Sequence, residues 1–181
     1  MPEGPVTDAL LMRDAALGNH ASLEKLVRRN GANLLTFIER TVGDPHRSED
    51  VFQDVFLIVW RQRRQYRYPR PFKPWLYRIA LNRCRLEWRT SAPTVTFPDY
   101  GPAANDPQPS EAVITQESAC VVRSAVERLP EQQRAVLVLR IWNSLSYHEI
   151  AEIVGRREAT VRSYMHHALA AMRTYLEPRL R

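Results

Sequence analysis

Apolar residues recur three or four positions apart along most of this 181-residue chain, and this spacing predicts α-helices throughout. Residues 7–42 follow the pattern, and we expect the helix to break at Gly18-Asn19 and again at Asn30-Gly31. Asp44-Pro45 predicts a new helix start, because aspartate caps a helix and proline suits its first turn. That helix is the most apolar of the chain, and its predicted buried stripe holds Val51, Phe52, Val55, Phe56 and Val59.

The opposite side of the same helix carries a small polar group in an otherwise basic region. Asp50, Gln53 and Asp54 share that side at spacings of three and one. Taken alone, this group is best interpreted as a solvated helix face.

Basic and aromatic residues are interleaved between positions 61 and 89, where ten Arg or Lys accompany a single acid. Three prolines, Pro69, Pro71 and Pro74, predict a loop, and helical spacing resumes at Trp75. One row on that helix consists of Trp75, Arg78, Asn82, Arg85 and Arg89. Because cations hold phosphates and aromatic rings stack unpaired bases, the pattern favours single-stranded nucleic acid. Core tryptophans beside a solvated arginine face are the alternative.

Residues 91–110 interrupt the helical pattern with five of the chain's 13 prolines and no positive charge. We interpret them as a flexible acidic linker between a domain at 1–90 and a second at 111–181. The predicted fold is therefore all-α, with two small helical domains.

The second domain ends in a predicted helix-turn-helix. Ser146 and Glu149 form a capping-box signature, and Gly155 ends the short helix that follows. The next helix carries its apolar residues on one stripe, which turns Arg162, Ser163, His166 and His167 away from the core. Hydrogen-bonding side chains on such a helix, entered beside Arg156 and Arg157, suit the major groove of DNA. An ordinary helical hairpin with a basic surface would show the same pattern.

Charge and cysteine content narrow the class of protein. The net charge is +6, yet residues 91–118 carry four acids and no Lys or Arg, so two basic modules flank an acidic tether. Arginine supplies nearly all the positive charge, as either phosphate binding or a GC-rich genome would produce. Two isolated cysteines do not make a disulfide framework or a zinc site. Without a signal peptide or an apolar run of membrane-spanning length, we expect a cytoplasmic protein with no membrane insertion.

Three motifs in this order resemble those of a bacterial RNA polymerase sigma factor of the small, extracytoplasmic-function type. RSEDVFQDVFLIVW is similar to the family's polymerase-binding helix, and FKPWLYRIALNRCRLEWR to its promoter-melting segment. LPEQQRAVLVLR followed by LSYHEIAEIVG and ATVRS is similar to its C-terminal domain. The resemblance covers nearly the whole chain.

The resemblance implies a role for each group of residues. The polar contact with core RNA polymerase would be made by Asp50, Gln53 and Asp54. The minus-ten element of promoter DNA, from which the family flips out a base, would be held by Tyr66, Tyr68, Phe72, Lys73, Trp75, Arg78, Asn82, Arg85 and Arg89. The minus-thirty-five element would be read by Arg156, Arg157, Thr160, Arg162, Ser163, His166 and His167. An anti-sigma factor is the further partner that the family implies.

One departure from the family lies in the helix-turn-helix. The family usually has an apolar residue and then Ser or Pro after the turn glycine, where this chain has Arg156 and Arg157. The recognition helix is therefore expected to lack its usual capping side chain.

Two other classes of protein fit the sequence less well. A helix-turn-helix transcription regulator that is not a sigma subunit explains the C-terminal half but not the arginine-aromatic stretch or the acidic linker. An enzyme is disfavoured, because the chain has no G-x-x-x-x-G-K loop and no clustered carboxylates or H-E-x-x-H. We therefore expect no catalytic residue, cofactor or metal.

Overall fold

The computed structural model describes residues 6–90 and 110–179, and the regular structure in these two ranges is helical. Its helices are α1 Asp8–Ala16, α2 His20–Val42, α3 Pro45–Gln62, α4 Phe72–Thr90, α5 Ser110–Glu127, α6 Glu131–Ile141, α7 Tyr147–Val154 and α8 Glu158–Leu176. A 3-10 turn, Arg63–Gln65, follows α3. The all-α prediction is confirmed, and the predicted linker lies outside the described residues apart from Ser110, which begins α5.

The first half of the chain packs α1 to α4 around one core. Val51, Val55 and Val59 of α3 are fully buried, while Phe52 and Phe56 on the same stripe are half-buried. Asp44 caps α3 by accepting a hydrogen bond from the amide of Arg47 at 2.9 Å, as its sequence predicts. These contacts make α3 the bridge between α2 and α4.

The second break predicted for residues 7–42 is wrong. Gly18-Asn19 does separate α1 from α2, but α2 continues through Asn30 and Gly31. The Asn30 amide donates to the Leu26 carbonyl at 3.1 Å and to the Asp8 carboxylate at 2.9 Å, which ties α1 to α2. Gly31 is buried under the ring of Phe52. Tertiary packing thus overrides the weak helix propensity of these two residues.

The start of α4 also differs from the sequence prediction. The helix begins at Phe72 rather than at Trp75, and Pro74 lies inside its first turn. Proline is tolerated there because the first amides of a helix have no intrahelical acceptor.

The second half of the chain packs α5 to α8 and contains the predicted helix-turn-helix. The Ser146 hydroxyl accepts a hydrogen bond from the Glu149 amide at 3.2 Å, and the Glu149 carboxylate accepts one from the Ser146 amide at 2.8 Å. Gly155 ends α7 in the left-handed conformation, with φ of 67°. Val161 and Met165 of α8 are buried against this half's core.

The two halves pack against each other, which the sequence did not predict. The Thr41 carbonyl at the end of α2 accepts hydrogen bonds from Trp88 in α4 at 3.2 Å and from Arg134 in α6 at 2.9 Å. The Tyr77 hydroxyl donates to the side-chain oxygen of Asn143 at 2.5 Å. We call the whole contact between the two halves the seam. Over much of it, α4 lies along α7.

In the described ranges, none of the helices has the length and apolar content that a bilayer crossing requires.

Replacing Ser146 with alanine tests the start of α7. Ser146→Ala removes the capping hydroxyl, and we expect it to lower the free energy of unfolding by about 1 kcal/mol. Urea denaturation followed by circular dichroism measures the change. Ser163→Ala, the same exchange at an exposed position within α8, is the control and should leave stability unchanged or slightly higher. Equal stability of the two variants would contradict a role for the cap.

Candidate nucleic-acid interface

Two of the three aromatic residues expected to capture a base are packed in the core. Tyr66 is 8% exposed and Phe72 is 2% exposed, and their rings contact the ring of Trp75 at centroid distances of 5.5 and 6.1 Å. The Tyr66 hydroxyl donates to the Arg70 carbonyl. Burial, with smaller contributions from Tyr68 and Asp8, raises the pKa of Tyr66 to about 12. These two rings therefore pack under the loop formed by residues 66–71 and support its conformation.

Tyr68 differs from its two neighbours, because 49% of it is exposed. Its ring lies under the guanidinium of Arg13, whose central carbon is 5.5 Å from the ring centroid. Tyr68 is thus the aromatic residue of the loop that an incoming base can reach from solvent.

A cavity of about 510 Å³ opens between this loop and α4, and we call it the loop cavity. It is lined by Gln65, Tyr66, Arg67, Arg70, Pro71, Pro74, Trp75, Arg78 and Glu152. Arg67 and Arg70 were not among the predicted site residues, although they belong to the arginine-aromatic stretch that the sequence singled out. Glu152 comes from α7 and could be placed here only by the packing of the two halves. The cavity combines one half-exposed indole with three guanidiniums.

The predicted row on α4 has unequal access to solvent. Arg78, Asn82 and Arg89 are exposed, as is Lys73 before the row, whereas Trp75 and Arg85 are half-buried. Within the described ranges, the hydrogen bonds of the Arg85 side chain are long, 3.5 Å each, to the side chains of Asn82 and Gln132. Burial lowers its pKa; Glu131 opposes that shift, while Arg156 and Arg89 add to it. The row thus presents guanidiniums that no carboxylate pairs with among the described residues.

In the helix-turn-helix, α8 begins without a side-chain cap. Arg157 occupies the capping position and makes no capping hydrogen bond, as the departure from the family pattern predicted. Arg162 pairs with Glu158 at 2.6 Å and lies 4.4 Å from the ring centroid of Tyr147, so its direction is set by two contacts.

Most of the remaining predicted minus-thirty-five residues face solvent. Arg156, Ser163, His166 and His167 are exposed, and Thr160 is half-buried. A cavity of about 710 Å³ beside the turn is lined by Arg156, Arg157, Thr160 and others. The outer face of α8 therefore presents arginine, hydroxyl and imidazole donors together.

The seam brings parts of both predicted DNA-binding surfaces together. A cavity of about 400 Å³, which we call the seam cavity, is lined by Arg85, Arg89, Glu131, Gln132, Val154, Gly155 and Arg156. Two of its arginines belong to α4 and the third to the turn of the helix-turn-helix. In this arrangement the C-terminal half lies against Arg85 and Arg89, at the C-terminal end of the α4 row.

The predicted polymerase contact on α3 divides into exposed and engaged residues. Asp50 and Gln53 are exposed, whereas Asp54 forms an ion pair with Arg83 of α4 at 2.5 Å. Beside Gln53 lies an apolar groove of about 460 Å³ between α2 and α3, which was not predicted from the sequence. Its lining is His20, Leu23, Val27, Phe52, Gln53, Phe56, Leu57 and Trp60. The sequence did contain a sign of this groove, because α3 has more apolar residues than a single buried stripe requires.

Comparison with known proteins matches both halves of the chain. Residues 26–94 match the Sigma-70 region 2 family, and residues 121–172 match Sigma-70 region 4. The RNA polymerase sigma-H factor of Pseudomonas aeruginosa is 30% identical over 96% of each chain. The extracytoplasmic-function RNA polymerase sigma-E factor of Escherichia coli is 29% identical over 97% of each.

A solved structure has a similar arrangement. CnrH, in complex with the cytosolic domain of CnrY, superposes with a TM-score of 0.76 over 95% of this chain and 98% of CnrH, at 26% identity. Because the similarity extends over both halves, CnrH shares their packing as well as their separate folds.

Stability measurements should separate the packed aromatic residues from the exposed one. We expect Tyr66→Ala and Phe72→Ala each to lower the free energy of unfolding by about 3–5 kcal/mol, because each leaves a cavity in the core. Tyr68→Ala serves as the matched control and should change it by less than about 0.5 kcal/mol, as an exposed substitution does. Chemical denaturation of the three variants measures the difference. Wild-type stability of Tyr66→Ala would show that its ring is not a packing element.

Proposed function

This chain belongs to the extracytoplasmic-function group of bacterial RNA polymerase sigma factors, and from that premise we propose how its surfaces direct initiation. A sigma factor of this group is not an enzyme; it binds core RNA polymerase and confers promoter recognition. The observation that carries the residue assignments is the loop cavity, where an indole and three guanidiniums meet beside the α4 row. A regulator that is not a sigma subunit is disfavoured, because the match to region 2 covers this part of the chain.

The loop cavity and the α4 row are the minus-ten site in this proposal. Removing a base from the duplex costs a few kcal/mol, and phosphate attraction alone does not select which base leaves. Stacking on an aromatic ring returns about 1–3 kcal/mol per base. Trp75 and Tyr68 offer such rings, and Arg67, Arg70 and Arg78 supply charge for the adjoining phosphates. Tyr66 and Phe72 hold the loop in shape without touching the base.

The remaining residues of the α4 row extend the same site along the strand. Lys73 lies in the first turn of α4, and Asn82, Arg85 and Arg89 continue from the loop cavity toward the end of the helix, so successive phosphates meet successive donors. Arginine suits this task, because its planar fork matches phosphate oxygens.

The outer face of α8 is the minus-thirty-five site. A recognition helix places its first turns against base edges in the major groove. Thr160, Ser163, His166 and His167 would provide hydrogen-bonding groups there, and Arg162 is directed outward by its contacts with Glu158 and Tyr147. Arg156 and Arg157 precede the helix and would contact the phosphates. The uncapped amides at its start add positive partial charge for the same phosphates.

Promoter binding requires the seam to open. Arg85 and Arg89 of the α4 row face the same cavity as Arg156, so these three arginines cannot all follow a DNA strand while the two halves are packed together. Core polymerase supplies the energy for opening if it binds the separated halves more tightly than the packed ones. The isolated chain is thus a poor promoter binder, and the complex with polymerase is the active form.

We assign the polymerase contact to the exposed side of α3. Gln53 lines the apolar groove between α2 and α3, and the exposed Asp50 lies one turn before it on α3, so a partner helix would find apolar contacts and polar side chains close together. Asp54 contributes less directly, because Arg83 already neutralises it.

An anti-sigma protein is the second partner. CnrH is 26% identical and was solved with the cytosolic domain of CnrY, which supports a comparable partner for this chain. Since polymerase and promoter DNA lie in the bacterial cytoplasm, we place the active protein there. Domain boundaries at 1–90 and 111–181, with a linker at 91–110, agree with this division of labour.

Run-off transcription tests the function and the minus-ten assignment together. With core polymerase and a genomic library, the wild-type chain should produce discrete transcript starts that define its promoters, whereas the chain alone should produce none. At such a promoter, Arg78→Ala should weaken complex formation and reduce the slope of the salt dependence by about 1, as the loss of one phosphate contact does. Permanganate reactivity of unpaired thymines reports strand opening.

Arg64→Ala is the matched control for that experiment. Arg64 is an exposed arginine of the 3-10 turn that does not line the loop cavity, so its loss should leave the salt slope near the wild-type value. If the two substitutions had equal effects, Arg78 would contribute only general positive charge, and its assignment to the minus-ten site would be wrong. Promoter-specific binding by the isolated chain as tight as that of the complex would contradict the need for opening.

Charge reversal tests the polymerase contact. We expect Asp50→Arg to weaken competition for core polymerase roughly fivefold to tenfold, since it removes an attraction worth up to about 1 kcal/mol and adds repulsion. Glu39→Arg makes the same change of charge at an exposed position on α2 and should compete like wild type. If Asp50→Arg competes as well as wild type, this side of α3 is a solvated helix face and does not contact polymerase.

A further inference from the structure

Three arginines from two halves of the chain converge on the seam cavity. Arg85 and Arg89 lie one turn apart on α4, and Arg156 follows α7. Among the described residues none of the three forms an ion pair, and Glu131 is the one acid in the cavity wall. The cavity therefore holds an excess of two positive charges.

Such a cluster works against the packing of the two halves unless an anion neutralises it. Like charges in a partly desolvated site repel, and the lowered pKa of Arg85, caused first by burial and also by Arg156 and Arg89, has the direction that this crowding produces. Elsewhere the seam is joined by favourable contacts, such as the hydrogen bonds from Tyr77 to Asn143 at 2.5 Å and from Arg134 to the Thr41 carbonyl at 2.9 Å. Repulsion is thus concentrated at one place on an otherwise complementary surface.

We propose that the seam cavity binds a compact polyphosphate anion, which Arg85 and Arg89 hold from α4 and Arg156 holds from the helix-turn-helix. Guanidinium forks pair with phosphate oxygens in two-point contacts, and three forks around one cavity can each take a different oxygen pair. The volume of about 400 Å³ admits a short phosphate chain. Because its ligands come from both halves, the bound anion clamps the seam closed.

The clamp has a regulatory consequence, which rests on the proposed function. The guanidiniums that hold the anion are those assigned to promoter phosphates, so anion and promoter compete for them. A rise in the anion concentration would favour the packed form by mass action and delay engagement of DNA.

Titration calorimetry of the full chain with inorganic tripolyphosphate, at constant ionic strength, tests the site. We expect one ion bound per chain, and a loss of affinity of about tenfold or more in Arg89→Gln and in Arg156→Gln, since each removes a charge-assisted contact. Loss in both variants requires both halves to contact the same ion. The measurement contains neither polymerase nor DNA, so its outcome is independent of the proposed function.

Two further variants make the result specific. Arg157→Gln removes the same charge one residue away, outside the seam cavity, and should bind within about twofold of wild type. Glu131→Gln removes the opposing carboxylate and should bind more tightly, a gain that misfolding does not produce. No binding by the wild-type chain, or equal loss in Arg157→Gln and Arg156→Gln, would overturn the proposal.

Two additional ligands identify the source of the anion. Sulfate at the same ionic strength should bind far more weakly, because a single anionic group cannot reach three forks; equal binding would overturn the polyphosphate assignment. Adenosine triphosphate carries the same phosphate chain with a nucleoside attached. Tighter binding than tripolyphosphate would support a nucleotide, and weaker binding would support inorganic polyphosphate.

Discussion

The need of each guanidinium for an acceptor divides the arginines of this protein into two kinds. Arg134 is half-buried and donates to the carbonyls of Thr41, Glu127 and Leu129, which joins α6 to the end of α2. Arg83 is neutralised by Asp54 and so connects α4 to α3. Arginines with such partners hold the fold together. On α4, Arg78, Arg85 and Arg89 have no such carboxylate among the described residues, and these are the arginines that we assign to promoter phosphates.

α4 shows both kinds on one helix. Its buried residues form the core with α2 and α3, while its arginine row faces the C-terminal half across the seam. A surface that binds DNA phosphates has to be positively charged, and a surface that packs against another domain should not carry unpaired charge. The structure meets these opposed requirements by leaving cavities around these arginines and joining the two halves elsewhere, through hydrogen bonds such as those that Trp88 and Arg134 donate to the Thr41 carbonyl. The seam is therefore suited to opening.

The aromatic residues follow a similar division of labour. Tyr66 and Phe72 stabilise the loop from within the core, and Trp75 bridges the core and the loop cavity. The proposed minus-ten site would need rigid walls, since a platform that moves does not hold an unstacked base. Buried rings beneath the surface provide that rigidity, and the exposed ring of Tyr68 adds an accessible face. Residue type alone does not distinguish these roles, because each ring is suited to either.

The sequence by itself determined the helical elements, the helix-turn-helix and its capping box, and the family, because caps, apolar spacing and short motifs are local. It also located the arginine-aromatic stretch, whose composition is independent of packing. Only the tertiary structure decided that α2 continues through Asn30-Gly31, that Tyr66 is buried and Tyr68 exposed, and that Asp54 is paired. The packing of the two halves at the seam likewise could not be predicted from the sequence. Glu152 and Arg156 approach α4 only because two surfaces far apart in the chain fit each other, and no spacing rule encodes such complementarity.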